Sequence, residues 1–170
     1  ARAKQLVTIR RQEQKISKEK LRSKEDELAK MATYIVAKNE LLSSLMKDVE
    51  YHQGLMENKD DKKTLTPLVK RLNEEIDDSG DWERFQLQFS SAYPGFINYL
   101  TSKYSKLSSG DIKLCCYLKM NMNTKDVAQL TGLSVRAVEN KRYRLRKKLS
   151  LSKDTNLLSF LNQIINQQMS

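Results

Sequence analysis

The sequence has little of what sheets and membrane spans require. Its 170 residues include five Gly and two Pro, although turn-rich β folds depend on both. Apolar residues make up 39% of the chain and charged residues 31%, a balance typical of amphipathic helices. No apolar run is long enough to cross a bilayer. We therefore predict an all-α fold.

Residues that support catalysis or bind metals are equally scarce. His52 is the only histidine, and it is followed by Gln53-Gly54 instead of the acid and basic-Pro motif that follow the phosphoacceptor of a histidine kinase. Cys115 and Cys116 are adjacent and cannot form an ordinary disulfide framework, so we interpret them as small buried side chains in a reducing cytoplasm. A phosphate-binding glycine loop and a nucleophile elbow are also missing from the sequence. We expect no enzyme activity, cofactor, metal or small-molecule substrate.

The positive charge of the chain is concentrated in two segments. The formal net charge is +10 at pH 7. Residues 1–24 contain nine Lys/Arg against two Glu, net +7, and residues 123–149 contain eight Lys/Arg against two acidic residues, net +6, so the remainder is net −3. Such patches favour a polyanionic partner, either nucleic acid or an anionic membrane surface.

A heptad repeat runs through the first predicted segment, residues 1–56. Apolar residues recur at every seventh position without a break, at Leu21, Leu28, Ile35, Leu42, Val49 and Met56. The matching +3 positions are mixed, because Met31 and Leu45 alternate with Lys24, Lys38 and His52. The pattern predicts a long helix, from about residue 5 to residue 54, that forms a homodimeric coiled coil through Leu21, Leu28, Ile35, Leu42 and Val49. The alternative is a long helix that folds back on its own C-terminal domain.

The second predicted segment, residues 57–106, is a helical connector. A polar break at residues 58–63 precedes Thr66-Pro67, which favours a helix from about residue 67 to residue 77. Asp81 can cap the next helix, in which Trp82, Phe85 and Phe89 share one face. Residues 93–95 break that helix, and a further helix follows. We interpret the aromatic face as core packing, with a ligand pocket as the alternative.

The third predicted segment, residues 107–170, has the pattern of a helix-turn-helix domain. Ser108 and Asp111 form a capping box that opens its first helix. Asn123-Thr124 then caps a short helix at about residues 125–130, residues 131–133 form a tight turn, and Ser134 caps a basic helix that ends near residue 149. A final apolar helix is predicted at about residues 155–167. A short helix, a turn with Gly and a basic second helix are typical of major-groove binding.

Residues 107–149 resemble the DNA-binding domain of LuxR/GerE-type regulators, which has four helices and no wing. The shared pattern runs from a capped Leu-Ser start through a Val-Ala scaffold helix to a Ser-capped recognition helix that ends Lys-Lys-Leu. Where that family commonly has a recognition-helix histidine, this chain has Lys141. The resemblance implies that Glu139, Asn140 and Tyr143 reach base edges, with Arg136 as a fourth. Asn pairs with adenine, Arg with guanine and Glu with cytosine, which agrees with these roles.

The other cationic or hydroxyl side chains of this region are expected to contact phosphates. Two of them, Thr124 and Lys125, begin the scaffold helix, whose N-terminal N–H groups favour anions. The full predicted phosphate-contacting set is Thr124, Lys125, Lys141, Arg142, Arg144 and Lys147.

A wider resemblance extends to the first predicted segment, residues 1–56, which we call the arm, and to the connector. Residues 31–33, 38–42, 81–85, 94–96 and 142–149 are together similar to the cytoplasmic end of gut-bacterial membrane regulators, which join a periplasmic propeller sensor and a membrane span to a coiled coil and a LuxR-type domain. This kinship implies control of carbohydrate-utilisation genes and a cytoplasmic location. The chain begins without Met, so we expect it to be part of a longer protein, and the kinship implies a sensor upstream. If a membrane span lies just upstream, the basic cluster of residues 1–24 marks its cytoplasmic side. The alternatives are a solvated helix face for this cluster and, for the whole chain, a coiled-coil adaptor that binds a partner protein.

Overall fold

The protein is all-helical, as predicted. The computed structural model describes the backbone of residues 2–77 and 80–168 and the side chains of residues 2–76 and 80–164. Within these ranges there is no strand, and eight helices follow one another: α1 (Arg2–Leu55), α2 (Lys59–Asp77), α3 (Asp81–Ala92), α4 (Phe96–Lys103), α5 (Ser109–Lys119), α6 (Thr124–Thr131), α7 (Val135–Lys148) and α8 (Leu157–Gln168). No helix in the described ranges combines the length and the apolar character that crossing a membrane requires.

The first helix, α1, is the long element against which later helices pack. It has 54 residues and is therefore about 80 Å long. Helix α2 turns back after a short connection and packs along α1. Helix α3 also runs antiparallel to α1, since Asp81 at its start binds Lys38, whereas the Ser91 carbonyl near its end accepts a hydrogen bond from Lys24 Nζ at 2.7 Å.

One hydrophobic core draws on all three predicted segments. Its fully buried side chains include Leu28 from α1, Phe89 from α3, Cys115 from α5 and Leu161 from α8. Stacked and edge-to-face aromatic rings fill the space between α1 and α5, and Phe85 lies at their centre. The aromatic face of α3 is therefore core, as its spacing predicts.

The heptad residues of α1 lie mostly against their own chain. Leu28 is 0% exposed, and Ile35, Leu42 and Val49 are half-buried in the stretch that packs on α2, α3 and α6. Leu21 is 38% exposed, and every residue from 2 to 23 is exposed. The stretch of α1 from Leu28 to Val49 therefore packs on later helices of its own chain, whereas coiled-coil dimerisation stays a prediction.

Two details of the predicted connector are wrong. The polar residues at 59–63 belong to α2, because Asn58 Oδ1 accepts the N–H of Asp60 at 2.9 Å and starts the helix well before Pro67, which lies inside it. Asp81 is the first residue of α3, since Gly80, with a left-handed φ of 72°, occupies the cap position. The Asp81 carboxylate is thereby free of the cap role and binds side chains of α1 and α3.

Candidate nucleic-acid interface

The scaffold helix α6 begins with a reciprocal pair of hydrogen bonds. Asn123 Oδ1 accepts the Asp126 N–H at 2.8 Å, and Asp126 Oδ2 accepts the Asn123 N–H at 3.1 Å. This capping box satisfies donors that a helix start leaves unpaired. Val127 and Leu130 then bury one side of α6 in the core. The predicted helix is confirmed, with Asn123 as its cap.

The turn between α6 and α7 depends on Gly132. Its φ is +68°, and no heavy atom lies within 4 Å of the place where a Cβ would be. The backbone conformation, and not lack of space, therefore favours glycine here. At the end of α6, the Leu133 N–H donates to the Ala128 carbonyl at 3.2 Å. At the start of α7, Ser134 Oγ accepts the Ala137 N–H at 3.1 Å. A helix, a tight turn and a second helix occur where the sequence predicts them.

Helix α7 has a buried side and a charged, exposed side. Val138 and Leu145 are 0% exposed and join α7 to the core. The helix carries seven Lys/Arg against one Glu, net +6 over 14 residues. The four predicted base-contacting side chains are all exposed, and each lies three or four positions from two of the others: Arg136, Glu139, Asn140 and Tyr143. The structure therefore brings this set together on one face.

The predicted phosphate contacts divide into two groups. Arg142 is half-buried, and its Nη1 donates to Thr124 Oγ1 at 3.1 Å, which joins α7 to the start of α6. Lys147 Nζ lies 4.5 Å from the centre of the Tyr143 ring, a cation–π contact on the exposed face. The members that are exposed to solvent are Lys125, Lys141, Arg144 and Lys147.

Two cations of α7 hold the fold together, a role that the sequence analysis missed. Arg146 donates from Nη1 to the Thr155 carbonyl and from Nη2 to the Ser152 carbonyl, both at 2.6 Å, and so fixes the loop after α7. Lys148 Nζ donates to Asp111 Oδ2 at 2.5 Å. No signal within the sequence marks them, because the exposed Arg144 lies beside the buried Leu145 just as Arg146 does.

Asp111 is the point where α7 meets the start of α5. Its Oδ2 accepts the Ser108 N–H at 2.8 Å, which confirms the predicted capping box, and also accepts from Lys148. Burial raises the pKa of this carboxyl, but the hydrogen bonds from Lys148 and Ser108 outweigh burial, so the pKa is lowered overall. The carboxylate is therefore the form that the fold stabilises.

A further cation, Lys153, extends the basic surface beyond α7. It lines a shallow depression of about 310 Å³ together with Arg142 and Arg146. Lys153 is exposed and lies in the loop that Arg146 holds. The sequence analysis did not assign it, because its proximity to α7 arises only when that loop folds back.

Comparison of the chain with protein-family models, curated proteins and solved structures gives no match. The chemical character of the surface is defined by the residues themselves. It is a cationic, exposed helix face that carries amide, carboxylate, guanidinium and phenol groups on a scaffold fixed by caps and buried side chains.

Proposed function

We propose that this chain is the DNA-binding part of a transcription regulator and reads double-stranded DNA by placing α7 in the major groove. The observation that carries the proposal is the exposed face of α7, which holds the predicted base-contacting side chains. Among the described residues, Arg136, Glu139 and Asn140 take part in no side-chain hydrogen bond or salt bridge, so their polar groups remain available to base edges. Their chemistry covers guanine, cytosine and adenine.

The packing around α7 supports this role because base readout requires a helix of fixed orientation. Arg142 joins α7 to the scaffold helix, and Lys148 joins it to the capping box of α5. The guanidinium of Arg142 and the hydroxyl of Thr124 also lie together at the start of α6, where helix N–H groups favour a phosphate. The same contacts thus position the helix and create a place for the DNA backbone.

We further propose that two copies bind DNA together and that α1 carries the regulatory signal. Helix α1 contacts the scaffold helix α6, so the arm packs directly on the helix-turn-helix. Tyr93 Oη, in the connector, donates to Glu25 Oε1 at 2.6 Å and joins the arm to the segment that follows α3. The exposed N-terminal stretch supplies apolar side chains for the second copy: Leu6, Val7, Ile9, Ile16 and Leu21. Movement of this stretch then changes the distance between two recognition helices.

The resemblance to LuxR/GerE-type regulators supports the helix-turn-helix interpretation residue by residue. The wider resemblance to gut-bacterial membrane regulators supports a role as the cytoplasmic output of a sensor that controls carbohydrate-utilisation genes. The two parts of the proposal therefore have different support. The geometry of α7 supports DNA contact, whereas the regulated genes and the cytoplasmic location are supported by the wider resemblance.

Substitution of Asn140 tests the proposal directly. Asn140→Ala should weaken binding to a site selected from random DNA by about 5- to 150-fold, since a bidentate pair contributes roughly 1–3 kcal/mol of discrimination. Affinity for random DNA should stay unchanged because Asn140 is not expected to contact phosphates. The control is Asn98→Ala, an exposed residue of α4, which should alter neither affinity. If Asn140→Ala also leaves selected-site binding unaltered, α7 does not read bases and the adaptor alternative is favoured.

A further inference from the structure

A cavity lies where the arm, the connector and the helix-turn-helix meet. Its volume is about 340 Å³, within the range of small-molecule sites, and α1, α2, α3, α5, α6 and α7 all line it. The apolar part includes Ile35, Phe85, Leu130 and Val138. Aromatic rings form another part of the wall, with the rings of Trp82 and Tyr117 edge to face at 6.4 Å. A flat apolar molecule suits such walls.

Polar groups at the cavity indicate what else the molecule carries. Asn39 lines the cavity, and its Oδ1 is buried with no hydrogen-bond partner within the described part of the chain. A buried acceptor without a donor is costly, so a ligand N–H or O–H is favoured there.

The charged groups of the cavity favour an anion. Lys113 and Lys141 line it, and neither forms a salt bridge among residues 2–77 and 80–168. Lys113 Nζ lies 5.0 Å from the centre of the Trp82 ring, which places a cation beside the aromatic wall. The cavity also has two carboxylates, of which Asp81 is paired with Lys38, while Glu83, like Lys141, is exposed to solvent. Two cations thus face one carboxylate that is unpaired within the described residues, and this net positive charge favours an anionic ligand.

We propose that this cavity binds a small aromatic carboxylate that carries an N–H or O–H donor. The ring packs against Trp82, the carboxylate binds Lys113 and Lys141, and the donor satisfies Asn39 Oδ1. Such a ligand contacts the arm and the recognition helix at once. The site shares Lys141 with the predicted phosphate contacts, but its test involves no DNA, so its failure and the failure of the proposed DNA function are distinguishable.

Trp82 provides the readout, since it is the only tryptophan and gives one indole N–H signal in a ¹⁵N-labelled sample. Titration of the full chain with indole-3-acetate should shift this signal saturably, with a Kd below about 1 mM. Indole-3-acetamide, which lacks the charge, and 1-methylindole-3-acetate, which lacks the donor, should each bind about tenfold more weakly. A shift that does not saturate by about 10 mM, or equal affinity for all three probes, overturns the proposal.

Single substitutions test each proposed ligand contact separately. Lys141→Met should weaken indole-3-acetate about tenfold and leave indole-3-acetamide unchanged, whereas Lys106→Met, which removes an exposed charge outside the cavity, should change neither. Asn39→Leu should abolish the preference for indole-3-acetate over its 1-methyl analogue. Equal effects of the two lysine variants, or a preference that survives in Asn39→Leu, contradict the assigned contacts. Because the probe series uses the unaltered chain, the proposal stays testable if a variant fails to fold.

Discussion

Asp111 accepts hydrogen bonds from two parts of the molecule that are far apart in sequence. Its carboxylate caps α5 through Ser108 and also binds Lys148 at the end of α7. Because the folded state lowers its pKa, the stability it contributes is fully present above the pKa of the unfolded chain, about 3.9, and is lost as the pH falls through the lower folded value.

Asp111→Asn should therefore reduce the free energy of unfolding at pH 7 by on the order of 1 kcal/mol, the size of a lost helix cap. The difference from the unaltered chain should shrink below about pH 4, where the unfolded chain takes up the proton first, and should be smallest once the folded carboxyl is protonated as well. Urea denaturation at pH 7 and below about pH 4 measures this difference in the free energy of unfolding. Asp48→Asn, at an exposed position of α1, is the matched control and should be near neutral throughout. A deficit of constant size at all pH values would show that the ionised form of Asp111 has no special role.

At the scale of helices, α1 contains two heptad residues in opposite environments. Leu28 is 0% exposed in the core, whereas Leu21, one heptad earlier, is 38% exposed. Leu28→Ala should lower the free energy of unfolding by about 2–5 kcal/mol, as buried leucines do, and Leu21→Ala by less than about 1 kcal/mol at low protein concentration. Equal losses in thermal or urea unfolding would mean that the arm does not pack on its own chain as described.

Local signals predicted the helices well, because caps and turns act over three or four residues. Ser108, Asn123 and Ser134 each accept the backbone hydrogen bond expected of a cap, and Gly132 ends α6. The early start of α2 was missed because Asn58 is an equally good cap and the Thr-Pro pair was a stronger pattern.

Long-range packing could not be read from the sequence in the same way. A heptad stripe shows that a helix needs an apolar partner, but a second chain and another helix of the same chain satisfy it equally. The stretch that contains Leu28 meets α3 of its own chain. Likewise, the cavity beside Asn39 and Trp82 arises from six helices, and no spacing within one segment predicts it. The exposed set on α7 was predictable because one helix carries all of it.

At the scale of the whole molecule, charge and apolar surface oppose each other on the exposed part of α1. Residues 1–24 have a net charge of +7, and the exposed apolar side chains of the arm lie among these cations. Two arms that pair must bring like charges together, and salt screens this repulsion over about 10 Å at 0.1 M. DNA binding has the opposite dependence, since salt weakens phosphate contacts.

We therefore expect self-association to strengthen between about 50 and 500 mM salt while affinity for DNA falls. Light scattering measures the first effect and mobility shifts measure the second. Leu21→Gln and Ile16→Gln should reduce self-association, and Leu87→Gln, an exposed leucine of α3, should not. A chain that stays monomeric at high concentration and high salt would exclude pairing through the arm.

The most direct test of the central proposal is the affinity of the unaltered chain for a selected DNA sequence compared with random DNA. Sequences are enriched from a random pool, and the best of them competes against random duplex at physiological salt. We predict a specific affinity at least about 10³-fold tighter, with two half-sites whose spacing reports a dimer. If no sequence is enriched and every duplex binds alike, the chain has only non-specific attraction for polyanions, and the proposed reading of bases by α7 is wrong.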